Sequence, residues 1–151
     1  MYTCKPTKVK IKCSPSASVP QRKSDGAAAY DLYASEDRSL FPGIVTTVPT
    51  GIQMEIPQGW KGEITSRSGL ASRGIFVANQ PGKIDSDYRG EIKVILYNTN
   101  KWEKQIRKGD RIAQFEIHPV YGIEWHTGTL SETDRGDGGF GSTGISDDAG
   151  G

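Results

Sequence analysis

The chain has 151 residues and a mass of 16.4 kDa, and its 19 basic and 18 acidic side chains give a net charge of +1. That length is typical of one domain, and near-neutrality argues against non-specific nucleic-acid binding, which depends on neutralising phosphates. Two cysteines and two histidines are too few for a disulfide framework or a structural zinc site. No apolar run has the length of a signal peptide or membrane span. We therefore expect an intracellular protein, cytoplasmic or nuclear, that binds neither nucleic acid nor membrane.

The composition favours β-structure. The chain holds 19 glycines and 8 prolines, well above the average combined share of about 12%. Such an excess is typical of many short strands joined by turns and argues against a helix bundle.

The first 23 residues carry six basic side chains and no acidic one. One interpretation is a basic arm for an acidic partner. The other is an edge strand, because Val9, Ile11 and Cys13 alternate with lysines, and lysines protect an exposed edge from further pairing. The alternation favours the edge strand.

The next two segments give conflicting signals. Residues 27–41 are rich in alanine and lack glycine and proline, so propensity alone predicts a helix. Residues 44–56 alternate apolar and polar side chains and are interrupted at Pro49 and Gly51, which predicts two strands around a turn.

Two later segments have the period of a strand. Residues 91–97 place Ile92, Val94 and Leu96 on one face, with a partly covered second face, and residues 111–120 predict another strand. Strands separated by turns, without alternating helices, predict an all-β sandwich or barrel. His118 then belongs to a strand, and His126 lies on the surface.

Ser66–Gly69 is the first of three segments suited to an anionic ligand. Arginine offers a planar fork of donors, serine adds hydroxyls, and glycine allows close approach of backbone N–H groups. A helix beginning at Ser68 or Gly69 would aim further N–H groups at an anion. The alternative is a serine N-cap on a surface helix.

The second segment is the tail, residues 134–151, in which seven of eighteen residues are glycine. So little apolar surface cannot offset the entropy of ordering, so we expect mobility in the free protein. Arg135 and Phe140 could close over a flat base and a phosphate chain; the alternative is a disordered polar tail.

The third segment, Ile84–Gly90, contains Asp85, Asp87 and Tyr88. The two carboxylates could bind a metal ion or simply form a turn. The tyrosine could pack against a sugar or fill a strand face.

Five segments then fall into a known order, and together they resemble the trimeric deoxyuridine triphosphate nucleotidohydrolase (dUTPase) family. The resemblance covers residues 27–144. The segments are Ala27–Leu32, Arg67–Ile75, Gly82–Gly90, Gly109–Gln114 and Arg135–Gly144.

The resemblance implies a distorted β jelly-roll or barrel with one short helix, matched by Leu70–Arg73. It implies strand and turn, not helix, over residues 27–41. It implies a single β domain over residues 1–133 and a mobile glycine-rich lid over residues 134–151. It further implies a homotrimer whose active sites lie at subunit interfaces and draw on all three chains.

The implied reaction converts dUTP and water to dUMP and pyrophosphate with Mg²⁺, which keeps uracil out of DNA and supplies dUMP for thymidylate synthesis. By resemblance, Asp85 is the general base and Tyr88 packs under the deoxyribose. A hairpin from Asn79 to Asp85 would read uracil through its backbone. Its substrate-binding residues are Asn79, Gly82, Lys83 and Ile84.

The same resemblance assigns the phosphate and metal contacts. Asp31 would hold the Mg²⁺ shell through water. In the lid, Phe140 would stack on uracil. The residues matched to phosphate binding are Arg67, Ser68, Gly69, Gln114, Arg135, Gly141, Ser142 and Thr143.

Several residues depart from the family pattern. Ser66 stands where proline is usual, and Ala29 where glycine is usual. Gln80-Pro81 replaces Gly-Ala, and Lys83 replaces valine or leucine, both in the segment expected to read the base.

Two other functions remain as alternatives. One is the dCTP deaminase branch, which shares the fold. The other is a nucleotide-switched regulator of this fold, suggested only by the basic first 23 residues. The presence of both Asp85 and Tyr88 in one segment, together with the glycine-rich tail, favours dUTPase.

Overall fold

A computed structural model describes residues 6–139 of the chain. In that range the backbone forms ten strands and one short helix, in agreement with the predicted all-β fold. The strands are β1 Lys10–Cys13, β2 Tyr30–Tyr33, β3 Arg38–Leu40, β4 Val45–Glu55, β5 Trp60–Thr65, β6 Ile75–Val77, β7 Gly82–Ile84, β8 Glu91–Asn98, β9 Lys104–Ile106 and β10 Arg111–Pro119, and the helix is α1 Ser68–Ala71.

Two four-stranded antiparallel sheets form the sandwich. One has the order β1-β4-β8-β6 and the other β2-β10-β5-β7, while β3 and β9 pair separately. One apolar core joins residues of both sheets, including Leu96 of β8 and Ile64 of β5. Ile92, Val94 and Leu96 are each 1% exposed, as their predicted alternation requires.

The helix that propensity predicts over residues 27–41 is wrong. The segment forms β2 and β3, as the family resemblance implied. Tertiary pairing outweighs propensity here, because β2 pairs with β10 and places Leu32, which is fully buried, in the core.

The turn predicted within residues 44–56 is also wrong, since β4 is one strand of eleven residues. Its register against β8 shifts between Pro49 and Ile52. Proline cannot donate to the ladder, and Gly51 has φ +69°, where a Cβ would collide with Ser14 Oγ. The buried Thr50 hydroxyl donates to the Ile92 carbonyl at 2.5 Å. The strand therefore bulges and continues.

Strand β1 lies at the edge of its sheet and pairs with β4, which confirms the edge-strand interpretation for residues 10–13. All four residues are exposed, so the face with Ile11 is less covered than the alternation suggests. Lys10 Nζ lies 3.0 Å from Glu55 Oε1 and holds the pKa of that carboxyl below its usual range. The charged pair protects the edge from further strand addition.

The chain divides into two compact units, Met1–Tyr121 and Gly122–Gly151. All of the strands belong to the first. Within the second, residues 122–137 are exposed, as is His126, and the Gly136 N–H closes a turn onto the Thr133 carbonyl at 3.0 Å. The lid proposed for residues 134–151 lies in this unit.

Over residues 6–139, no helix is long and apolar enough to cross a membrane.

Asn98 offers a test of the packing between β3, β8 and the loop that follows. This fully buried amide donates to the carbonyls of Leu40 and Trp102 and accepts from the Asn100 N–H. We expect Asn98→Ala to lower the free energy of unfolding by about 2–4 kcal/mol, because it leaves buried groups unpaired. Urea denaturation measures this, with exposed Lys101→Ala as the control. Equal losses in both variants would contradict the role.

Candidate active site

A buried carboxylate lies between two guanidinium groups at one end of the second sheet. Asp31 of β2 is 5% exposed. Its Oδ1 accepts from Arg67 Nε at 3.0 Å and its Oδ2 from Arg111 Nη1 at 3.3 Å. Two positive charges against one negative leave this cluster net positive, which suits an anionic ligand.

Strand pairing brings further polar groups to the cluster. Gln114 of β10 lies opposite Asp31 on one side and Thr65 of β5 on the other. Arg67 follows β5 after one intervening residue, and its Nη1 also donates to the Arg111 carbonyl at 3.1 Å. The sheet thus fixes the Asp31 and Gln114 backbones beside one another, and the Arg67 side chain reaches Asp31 from just beyond the end of β5.

The helix after Arg67 begins and ends two residues earlier than the resemblance implied, at Ser68–Ala71 instead of Leu70–Arg73. Arg67 is its N-cap residue, and no side chain caps it. The alternative of a serine N-cap is therefore wrong. Ser68 and Gly69 form the exposed first turn, where backbone N–H groups have no partner within a helix.

A second group of predicted residues lies on and after β7. Gly82, Lys83 and Ile84 pair with Ile64, Glu63 and Gly62 of β5. The predicted hairpin is wrong, because β6 pairs with β8 in the first sheet while β7 belongs to the second. The segment from Val77 to Gly82, which includes Asn79, therefore crosses from one sheet to the other.

The turn after β7 holds the tyrosine in place. The Tyr88 N–H donates to the Asp85 carbonyl at 3.2 Å, and Tyr88 Oη donates to the Glu91 carbonyl at 3.0 Å. Arg89 Nη1 closes the turn onto the Ser86 carbonyl at 2.7 Å. Gly90 lies under the tyrosine ring, where a Cβ would come within 2.5 Å of Tyr88 Cζ.

Asp85 is exposed and opens onto a cleft of about 850 Å³ that Lys61, Asp87 and Arg89 also line. Along β5, Lys61 Nζ lies 2.7 Å from Glu63 Oε1, two residues further on. This hydrogen bond holds the pKa of the Glu63 carboxyl below its usual range. The charge of Lys83, which faces Glu63 in the ladder, acts in the same direction.

The Asp31 cluster and the group around Asp85 lie toward opposite ends of β5. Ile84 pairs with Gly62, which places Asp85 beside Lys61, whereas Arg67 follows the other end of the strand at Thr65. Lys61 and Thr65 are ~13 Å apart at a rise of about 3.3 Å per residue. Within one chain, the backbones of Asp85 and Arg67 therefore lie at separate positions along β5.

Three contributors escaped the sequence predictions. Arg111 lies in the Gly109–Gln114 segment, in which the resemblance assigns a role only to Gln114. Ser66 and Gln80 carry no predicted role, because their mutual hydrogen bond depends on the crossing of the chain between sheets. In the tail, Arg135 Nε donates to the Gly138 carbonyl at 2.9 Å. Phe140, Gly141, Ser142 and Thr143 lie outside the described residues.

Gly90 tests whether the glycine positions Tyr88. In Gly90→Ala the new methyl group displaces the ring, and we expect loss of the Tyr88–Glu91 bond and a fall of about 1 kcal/mol in unfolding free energy. A crystal structure and a denaturation curve measure both. Gly26→Ala is the matched control, since a Cβ there meets nothing within 4 Å. A tyrosine unmoved in Gly90→Ala would contradict the role.

Comparison with known proteins relates the chain to one family. The sequence profile of the dUTPase family matches residues 15–144. A deoxyuridine 5'-triphosphate nucleotidohydrolase of Anaplasma marginale (strain St. Maries) is 48% identical over 130 residues, 83% of this chain and 88% of its own length. One from Helicobacter pylori (strain ATCC 700392 / 26695) is 43% identical over 142 residues, 92% of this chain and 98% of its own.

Solved structures agree. A mutant dUTPase of Staphylococcus bacteriophage 80alpha, with dUpNHpp, has a TM-score of 0.84 at 27% identity and covers 93% of this chain and 100% of its own. A mutant dUTPase from phage phi11 of S. aureus, described with a structural Mg(II) ion, has a TM-score of 0.76 at 25% identity. The match covers 84% of this chain and 100% of that one. Since the family profile spans most of the chain and the curated relatives align over nearly their whole length, the chain belongs to the dUTPase family.

Proposed function

We propose that this protein hydrolyses dUTP to dUMP and pyrophosphate. The observation that carries the proposal is the pair of groups held at the two ends of β5: a net positive cluster around Asp31 and an exposed carboxylate, Asp85, three residues before a fixed aromatic ring. Membership of the dUTPase family supports the choice of substrate. The reaction would keep uracil out of DNA and supply dUMP for thymidylate synthesis inside the cell.

The triphosphate would bind at the Asp31 cluster. Within the described chain, Arg67 commits two of its five N–H groups, to Asp31 and to the Arg111 carbonyl, which leaves three for a ligand. The exposed first-turn N–H groups at Ser68 and Gly69 and the amide of Gln114 add donors without charge. The buried carboxylate holds both guanidinium groups in place before substrate arrives, which reduces the entropic cost of binding.

The deoxynucleoside would lie along β7 and the segment before it. Tyr88, fixed by the Glu91 carbonyl and by Gly90, would pack under the deoxyribose and leave no room for a 2′-hydroxyl. Backbone groups between Asn79 and Ile84 would read uracil. Lys83, exposed and opposite Glu63, would lie at the edge of this subsite.

The chemistry would be an in-line attack of water on the α-phosphorus. Asp85 accepts a proton from the water as the new P–O bond forms, and the bond from the α-phosphorus to the leaving pyrophosphate oxygen breaks. Water is too weak an acid to be deprotonated fully in advance, so cationic side chains must stabilise the charge that develops. Arg67 of a neighbouring chain would supply that charge, since three of its N–H groups are left for a phosphate.

The residues fit a Mg²⁺ ion held mainly by substrate. Among residues 6–139 no group of three or more acidic, histidine or cysteine side chains could hold a metal ion, and Mg²⁺ commonly relies on phosphate oxygens and water instead. Each Asp31 oxygen uses one acceptor site for an arginine, which leaves a second for a metal-bound water. When bound, Mg²⁺ would neutralise phosphate charge.

We propose further that the active protein is a homotrimer with shared sites. The ~13 Å between Lys61 and Thr65 along β5 favours a site in which Arg67 of one chain works with Asp85 of another. Apolar side chains at alternating positions support assembly, because Tyr121, Ile123 and Trp125 are 82%, 67% and 84% exposed in a single chain. The tail would supply Arg135, Phe140, Gly141, Ser142 and Thr143 as a lid over bound substrate.

The alternatives have less support. The named relatives reported above are dUTP nucleotidohydrolases rather than dCTP deaminases. The regulator hypothesis depended on a basic arm, and residues 10–13 of that arm form an edge strand of the sandwich. Pyrophosphate release from dUTP, with no ammonia from dCTP, distinguishes the enzymes directly.

Asp85 provides the test of the mechanism. Asp85→Asn keeps the shape of the side chain but removes the proton acceptor, so we expect kcat for dUTP to fall by about 10²–10⁴-fold while binding of a non-hydrolysable analogue persists. Pyrophosphate release measures the rate. Asp87→Asn, in the same cleft, is the control and should retain most activity. Full turnover in Asp85→Asn would exclude this residue as the base.

Mixed oligomers test the shared site. We expect Arg67→Ala and Asp85→Asn to be inactive separately and to regain about a quarter of wild-type activity when chains mix at equal ratio, since one site in four then receives both intact residues. The mixture is assayed with dUTP after subunit exchange, and mass spectrometry verifies mixed trimers. Mixed trimers without activity would show that each site is built within one chain.

A further inference from the structure

Ser66 makes two hydrogen bonds to the segment that crosses between the sheets. Its N–H donates to Gln80 Oε1 at 2.7 Å, and its Oγ accepts from the Val77 N–H at 2.8 Å. Val77 is 4% exposed, so its N–H has little access to water as a substitute partner. A single residue therefore holds the crossing segment at Val77 and again at Gln80.

The crossing segment carries the backbone expected to contact the base. The Gln80 N–H donates to the Val77 carbonyl at 3.4 Å, which closes a turn between the two points that Ser66 holds. Asn79 lies in that turn, and its amide lies against Gly82, where a Cβ would come within 3.1 Å of Asn79 Nδ2. Shifts at Val77 or Gln80 thus pass directly to Asn79 and Gly82.

Each of the two Ser66 hydrogen bonds requires particular chemical groups at its positions. The first requires a backbone N–H at position 66, which proline lacks, and an acceptor at the end of the side chain at position 80. The second requires a hydroxyl at position 66.

We propose that Ser66 and Gln80 are positioning residues that set the shape of the Val77–Gly82 backbone and, through it, the choice of base. The inference rests on the proposed function. Its physical basis is that a binding site made of backbone groups has no side-chain rotamers to adjust. Its fit to uracil, and its rejection of the 5-methyl group of thymine, depend on where the backbone is held.

Three substitutions separate the two bonds. Gln80→Met keeps the length of the side chain but removes the Oε1 acceptor. Ser66→Ala removes only Oγ and keeps the N–H, and Ser66→Pro removes both. Gln105→Met, an exposed glutamine of β9 that bonds Ser39, is the matched control. The readout is the ratio of kcat/KM for dUTP to kcat/KM for dTTP, with kcat and KM for dUTP reported separately.

We expect the dUTP:dTTP ratio to fall about threefold to tenfold in Gln80→Met and in Ser66→Ala, the effect of one hydrogen bond. KM for dUTP should rise while kcat is largely kept, because the phosphate groups and Asp85 are untouched. In Ser66→Pro, adding Gln80→Met should change nothing further, since both remove the same bond. Gln105→Met should leave the ratio as in the wild type.

Two results would overturn the inference. One is an unchanged ratio in folded Gln80→Met and Ser66→Ala. The other is a lowered melting temperature with an unchanged ratio, which would make the bonds structural only. The wild-type assay distinguishes the two proposals. A wild type that releases no pyrophosphate from dUTP overturns the proposed function and this inference with it. An active wild type with an unchanged ratio in the variants overturns only this inference.

Discussion

Strand β5 is the constraint on which the rest of the site depends. It pairs with β10 on one side and β7 on the other, so its backbone fixes the positions of residues from three strands at once. At its far end it leads into Ser66 and Arg67, and near its start it faces the end of β7 and Asp85. Because a strand is nearly inextensible, the distance between these groups is set by the number of residues between them.

That distance is the basis of the proposal that each active site is shared between chains. In the proposed trimer, two chains side by side would bring Arg67 of one chain together with Asp85 of the other. Burial of Asp31 between Arg67 and Arg111 complements this arrangement. The carboxylate holds both guanidinium groups without removing the net positive charge, so the proposed anion subsite is formed within a single chain.

The family resemblance predicted the residue types of the site, and periodicity predicted the strands with one buried face. The prediction from periodicity is confirmed because alternation follows from the pleat of a strand, as in β8, whereas the site residues implied by the resemblance stay predictions. Propensity failed over residues 27–41, where pairing of β2 with β10 replaces the helix. The turn predicted from Pro49 and Gly51 does not form, because the pairing of β4 with β8 continues past the bulge.

The sequence by itself determined the class of fold, since turn residues and alternating apolar positions recur along the whole chain. It also predicted an anion-binding segment at Ser66–Gly69 and, by resemblance, Asp85 as the base. Only the tertiary structure decided that Arg111 shares Asp31, that the Asn79–Asp85 segment crosses between sheets, and that Ser66 bonds Gln80. Each of these joins residues far apart in the chain or divided between two sheets. No local pattern encodes such contacts, because strand order and register arise from packing the whole core.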